Sequence, residues 1–165
     1  GPAATLITDV QPVRLAIAAK LGADRVLHVT AEDPVDAALA LTGGAGVDCV
    51  IEAIGHFHEI PGRQAPLADA VRMVRPAGRI VTAGLGEQLS PVHFKTLVLK
   101  EAEIIASRTS LGEMARATHL LAKGSLHPEL LITDEVPLRE ITAAFAKIDR
   151  EAPDTIKVVV DVRDA

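Results

Sequence analysis

The chain has 165 residues, 48% apolar and 24% charged, with a net charge of −5, which suits a single soluble globular domain with its own core. No Lys/Arg run forms a basic stripe for nucleic acid, and no apolar run approaches the roughly 18 residues of a membrane-spanning helix. Trp and Tyr are absent and Phe occurs three times, so the core must be aliphatic, and the single cysteine, Cys49, fits a reducing cytoplasm.

Ala4 to Asp9 is a short apolar stretch ending in a carboxylate and predicts a strand. Pro12 opens a helical pattern through Leu15, Ala18 and Leu21, closed by Gly22. Arg25 to Val29 predicts the next strand, and Pro34 to Thr42 a helix stopped by Gly43-Gly44. Asp48 to Ile54 reads as a continuous strand of buried type that stops at Gly55. Leu67, Ala70, Val71 and Val74 recur at helical spacing, with Pro76-Ala77-Gly78 ending that helix and Arg79 to Leu85 forming a strand. Ser90-Pro91 predicts a cap and first-turn proline for a helix through Phe94, Leu97 and Val98, and Ala102 to Ser107 a strand. Helical patterns around Met114 to Lys123 and Leu138 to Ile148 precede a last strand, Ile156 to Val160.

Short buried strands alternating with amphipathic helices predict an α/β fold, a Rossmann-type doubly wound parallel sheet. Ligands of such sheets bind beyond the carboxyl ends of the strands. Those ends are Asp9, Ile54-Gly55 and Ala83-Gly84-Leu85, where glycine lets a flat ligand approach the backbone. A carboxylate ending a strand can accept both hydroxyls of an adenosine ribose and repel the additional phosphate of NADP; the same residue type in a turn ordinarily forms the turn or caps a helix.

Five stretches, in order, carry a resemblance. They are Asp9-Val10-Gln11-Pro12-Val13-Arg14-Leu15-Ala16, Leu21-Gly22-Ala23-Asp24, Gly46-Val47-Asp48-Cys49-Val50-Ile51-Glu52-Ala53-Ile54-Gly55, Arg75-Pro76-Ala77-Gly78-Arg79-Ile80-Val81-Thr82-Ala83-Gly84, and the C-terminal pattern Leu131-Ile132-Thr133, Pro137-Leu138, Ala144-Phe145 and Ile156-Lys157-Val158-Val159. Together they resemble the medium-chain zinc-type alcohol and polyol dehydrogenases. The resemblance implies NAD as cofactor, with Asp9 on the adenosine ribose and Arg14 flanking it. It places Ala53, Ile54, Gly55 and His56 on the adenine side. It further implies Ala83, Gly84 and Leu85 along the nicotinamide ribose and ring, backbone near Ser107-Arg108 at the carboxamide, and Lys157 at the pyrophosphate, where the other reading is a solvated side chain on a sheet edge.

The sequence also departs from that family. There, a strand and a Gly-x-Gly-x-x-Gly loop precede the segment that opens here, and a separate N-terminal domain supplies the zinc ligands and substrate pocket. The absent strand would be the central one, so the edges at Leu6-Ile7 and Val50-Ile51 are expected to lack partners, and the chain is expected to be a part of a longer polypeptide or to have its sheet repaired by another segment or subunit. No metal site is expected: His56-Phe57-His58 beside Glu59 lacks a third ligand at defined spacing, Cys49 sits in a buried strand, and His28, His93, His119 and His127 are scattered singly. Residues 3–130 are expected to form the dinucleotide-binding domain and 131–165 a C-terminal helix and strand. The strand at 103–108 resembles the edge through which family members pair, implying a homodimer.

The function expected is the cofactor-binding part of a cytoplasmic dehydrogenase that moves hydride from a secondary alcohol to NAD, inactive alone. Leu111-Gly112-Glu113 and the stretch to Gly124 lean toward its polyol and threonine branch. A non-catalytic nucleotide-binding or assembly module is the alternative, and a methyltransferase, which also ends its second strand in an acid, a third.

Overall fold

The computed structural model describes residues 2–55, 60, 64–87, 89–108, 111–150 and 152–163, and the chain divides into two compact units, 1–28 with 112–165 and 29–111. Every described strand pairing is parallel, with helices on the crossovers, which is the expected α/β class. Among the described residues no helix is long and apolar enough to cross a membrane.

In the first unit, β1 (Leu6–Asp9) lies parallel to β2 (Arg25–His28), Leu6 opposite Arg25 and Asp9 opposite His28. The crossover is α1 (Pro12–Lys20), opened by a proline whose fixed φ suits the first turn and followed by Gly22 at φ +91°. It packs on both strands, burying Leu15, while Leu27 is buried on β2. The entry to the pair is clamped: the Asp24 carboxylate accepts from the Thr5 amide at 2.7 Å and the Thr5 hydroxyl at 2.8 Å, and the Asp24 amide donates back to Thr5 Oγ1 at 3.1 Å.

The same unit contains α5 (Met114–Ala122), β6 (Ile132–Pro137), α6 (Ile141–Asp149) and β7 (Lys157–Asp161), with β6 parallel to β7. Sequence periodicity does not predict β6. Thr133, Asp134 and Glu135 interrupt its apolar run, and the strand exists because β7 pairs with it. Lys147 on α6 donates to Asp134 Oδ1 on β6 at 2.7 Å and lies 3.6 Å from Asp154, tying helix to strand. This ammonium holds the Asp134 carboxyl below its ordinary value, so its stabilising contribution is present above the unfolded value of about 3.9 and is lost as pH falls through the folded one. We expect Asp134→Asn to be less stable than wild type at neutral pH, with the gap closing in acid when unfolding is followed by circular dichroism; a gap independent of pH would remove Asp134 from the acid response.

In the second unit, β3 (Val47–Glu52), β4 (Val74–Thr82) and β5 (Glu103–Ala106) form a sheet in that order, crossed by α3 (Pro66–Met73) and α4 (Phe94–Lys100). The helix preceding them, α2 (Pro34–Leu41), starts at Asp33, whose Oδ1 accepts from the amides of Val35 at 2.8 Å and Asp36 at 3.3 Å. Ala70, Val71, Val74 and Ile80 are fully buried, and Val50, Leu67, Val92, Leu97 and Ala102 pack around them. Lys100, the last residue of α4, donates its ammonium to the carbonyls of Val71 at 3.0 Å, Arg72 at 2.8 Å and Val74, capping the carbonyl end of α3.

Three expectations are corrected in this unit. The third helix ends at Met73 rather than at Pro76-Ala77-Gly78, because the buried Val74 already pairs with Val47; the ladder then breaks and resumes at Cys49 opposite Arg79. The excursion between holds Pro76, which has no amide to donate, and Ala77, whose φ of +54° turns the chain back. The fourth helix starts at Phe94, so Ser90-Pro91 does not cap it. Nor is β3 of buried type: Val50 packs on the core, but Cys49 is exposed and Ile51 is 68% exposed.

Among the described residues β1 pairs with β2, and β3 with β4.

Candidate functional site

Asp9 ends β1, and its Oδ1 accepts the amide of Gln11 at 2.8 Å. The carboxylate therefore builds the turn into α1, the ordinary role of such a residue. Its Oδ2 faces the Arg14 guanidinium at 3.7 Å, a long ion pair on the first turn of α1 with the Arg14 side chain 54% exposed. Asp9 and Arg14 thus lie side by side, with one carboxylate oxygen of Asp9 engaged by the backbone and the other held only loosely.

The ends of β3 and β4 form the second cluster. Glu52 closes β3 opposite Thr82, and the chain leaves the sheet through Ala53, Ile54 and Gly55 beside Ala83, Gly84 and Leu85. The amides of Ala83 and Gly84 both donate to the Glu52 carbonyl, at 2.7 and 3.0 Å. Glu52 Oε1 accepts from the amides of Ile54 at 2.7 Å and Gly55 at 2.9 Å. The two glycines are in direct backbone contact: a Cβ at Gly55, where φ is +73°, would overlap Leu85 N and Gly84 C, and one at Gly84 would lie 2.6 Å from Gly55 Cα. They are required by each other, whereas the sequence suggests glycines spared for a ligand. Around them Ile54 and Leu85 are 47% and 80% exposed.

Arg108 is exposed just beyond β5, where the Ser107 amide donates to the Thr82 carbonyl at 2.9 Å. Lys157 opens β7 opposite Ile132 in the first unit, exposed, its carbonyl accepting from the Thr133 hydroxyl at 3.2 Å. Asp9, Arg14 and Lys157 therefore belong to one unit, and the residues from 53 to 108 to the other. His56 lies outside the described residues, as do Phe57, His58 and Glu59. His93 bonds to Gln64 through Nε2, and His127 Nδ1 lies 3.0 Å from Glu129 Oε1. Among the described residues no group of three or more His, Cys, Asp or Glu side chains is placed to hold a metal, so they do not fit a zinc ion.

Sequence reasoning passed over Glu52. The signal available was a carboxylate at the end of an apolar strand, three residues before a glycine, which is the spacing of a side chain folding back on its own backbone.

A family model described as zinc-binding dehydrogenase matches residues 3–123. The chain is 34% identical over 137 residues to D-arabitol-phosphate dehydrogenase of Enterococcus avium, covering 82% of this chain and 37% of that protein. It is 31% identical over 143 residues to L-threonine 3-dehydrogenase of Bacillus velezensis, covering 83% and 38%. Among solved structures, alcohol dehydrogenase from Thermus sp. ATN1 superimposes with a TM-score of 0.84 at 30% identity, covering 98% of this chain and 45% of that one. A short chain alcohol dehydrogenase from E. coli CFT073, complexed with NADH, gives 0.82 at 26%, covering 97% and 45%. The chain thus spans about two fifths of the length of the curated relatives it matches.

Proposed function

This chain belongs to the zinc-binding dehydrogenase family, and from that premise we propose that it is the cofactor-binding part of an NAD-dependent enzyme oxidising an alcohol or polyol. One observation carries the choice of cofactor. Asp9 stands at the carboxyl end of β1 with its Oδ1 fixed by the Gln11 amide and its Oδ2 held only by the long contact to Arg14, so a negative charge is oriented and still able to accept a hydroxyl. That arrangement favours the paired hydroxyls of an adenosine ribose and repels a phosphate in the same place.

In this reading Ala53, Ile54, Gly55 and His56 line the adenine side, Ala83, Gly84 and Leu85 the nicotinamide side, the backbone at Arg108 meets the carboxamide, and Lys157 neutralises the pyrophosphate. NAD supplies the hydride acceptor, while these residues bind and orient it. The described residues do not fit zinc, so no step is assigned to it; in this reading the chain binds and orients the cofactor and is catalytically silent by itself. We also assign it a cytoplasmic setting and a homodimer through the outer edge of β5, where Ile104 and Ile105 are 39% and 43% exposed.

Titration with NADH and NADPH, followed by nicotinamide fluorescence, tests the cofactor assignment. Wild type should prefer NADH. Asp9→Ala should lose about tenfold in NADH affinity, the value of one charge-assisted hydrogen bond, and should narrow the gap between the two cofactors. Equal NADH affinity in the two proteins would refute the ribose role.

A further inference from the structure

Within residues 29–111, four backbone amides from two loops converge on one residue. Glu52 takes the amides of Ala83 and Gly84 on its carbonyl and those of Ile54 and Gly55 on its carboxylate Oε1. Its main chain therefore holds the loop after β4 and its side chain the loop after β3, across a seam where the backbones of Gly55 and Gly84 leave no room for a Cβ. The charge-assisted bonds from Ile54 and Gly55 force the chain to turn immediately after β3, and that turn brings Gly55 against Gly84. Removing the carboxylate frees the 53–55 turn, and the seam loses the constraint on one of its sides.

We propose that Glu52 is a positioning residue that locks 53–55 and 83–85 into one platform, and that this platform, with the exposed side chains of Ile54 and Leu85 beside the seam, sets how tightly the cofactor's rings are held. The second half of this statement rests on the function proposed above; the first does not. Oε1 and the carbonyl of Glu52 are both taken up by the loops, and its role in this arrangement is to hold them. The amides of Ile54, Gly55, Ala83 and Gly84 are engaged by Glu52, so these four meet the cofactor through that lock and not as free donors.

Amide hydrogen exchange by NMR on wild type, Glu52→Ala and Glu52→Gln separates locking from ordinary stability. Faster exchange at Ile54 and Gly55 in Glu52→Ala follows from losing their acceptor. The decisive amides are Ala83 and Gly84, whose own acceptor, the Glu52 carbonyl, is untouched by the substitution. They should exchange about tenfold faster, the equivalent of one lost hydrogen bond, while the β4 core amides of Ile80 and Val81 stay within about twofold. Glu52→Gln keeps a side-chain oxygen at the same reach and should restore protection. The same pair should split in NADH affinity, with Glu52→Ala weaker by about tenfold and Glu52→Gln within about threefold of wild type. If Glu52→Ala does not fold, Glu52→Asp, whose shorter arm cannot bring its oxygen to both amides, takes its place. Unchanged exchange at Ala83 and Gly84, or a glutamine variant no better than alanine, overturns the lock. If wild type binds no NADH, the functional reading fails while the exchange comparison still decides the role of Glu52.

Discussion

Replacing Gly55 with alanine is expected to cost this protein about 3 to 5 kcal/mol, a large part of the roughly 5 to 15 kcal/mol that holds a domain together. Two penalties add. Gly55 sits at φ +73°, where an L side chain costs about 1 to 2 kcal/mol, and its Cβ would overlap the backbone of Gly84 and Leu85. Backbone cannot rotate away as a flexible side chain can, so the seam must open and the amides of Ala83 and Gly84 must lengthen or lose their bonds to the Glu52 carbonyl. Gly44 supplies the control. Its φ of +87° carries the same conformational cost, but no atom lies within 4 Å of the point where a Cβ would stand, so Gly44→Ala should lose only about 1 to 2 kcal/mol. Urea unfolding of the two variants measures the difference; equal losses would mean that the seam contributes nothing and left-handed strain is the whole effect.

Lys100→Met should cost about 2 to 4 kcal/mol. Methionine keeps most of the apolar stem and removes the ammonium, leaving the carbonyls of Val71, Arg72 and Val74 without their donor at the end of α3, directly above the buried Val71 and Val74. An unsatisfied carbonyl costs about 1 to 3 kcal/mol where water cannot reach it, and Lys100 is half-buried, so water replaces part of what is lost. Burial pushes the Lys100 ammonium below the ordinary lysine value, so as pH rises the folded protein gives up this proton before the unfolded chain does. Between the folded value and about 10.4 the unfolded chain binds more protons, and wild type should gain stability relative to Lys100→Met across that window. Thermal unfolding of the pair at neutral and alkaline pH checks both statements; identical midpoints at neutral pH would show that the three carbonyls are satisfied without the lysine.

Much of the fold is legible because local chemistry agrees with it. Pro12 and Gly22 bracket α1, and Pro34 with Asp33 opens α2 where the apolar spacing predicts it. The elements that escape prediction are those made by partners distant in sequence. β6 carries three polar residues in its centre and is a strand because β7 lies beside it, and β4 starts at Val74 because Val47 is there to pair with it. The exposed face of β3 has the same origin: an apolar run specifies a strand but not how many neighbours cover it.

The candidate site divides along the same line. Asp9, Arg14 and the glycines at 55 and 84 can be picked from the sequence because each residue type has a restricted chemistry at the end of a strand. The purpose of those glycines cannot, since Gly55 and Gly84 are 29 positions apart and only the parallel pairing of β3 with β4 brings their backbones into contact. Glu52 escapes for the same reason, because two of the four amides it binds come from the far side of that pairing. The sequence by itself determined the order of strands and helices apart from β6, the aliphatic core and the family, all of which depend on residue type and short spacing. The tertiary structure alone decided which strand edges are paired, why the two glycines must be glycines, and which carboxylate holds the loops, because each depends on atoms brought together by register rather than by proximity along the chain.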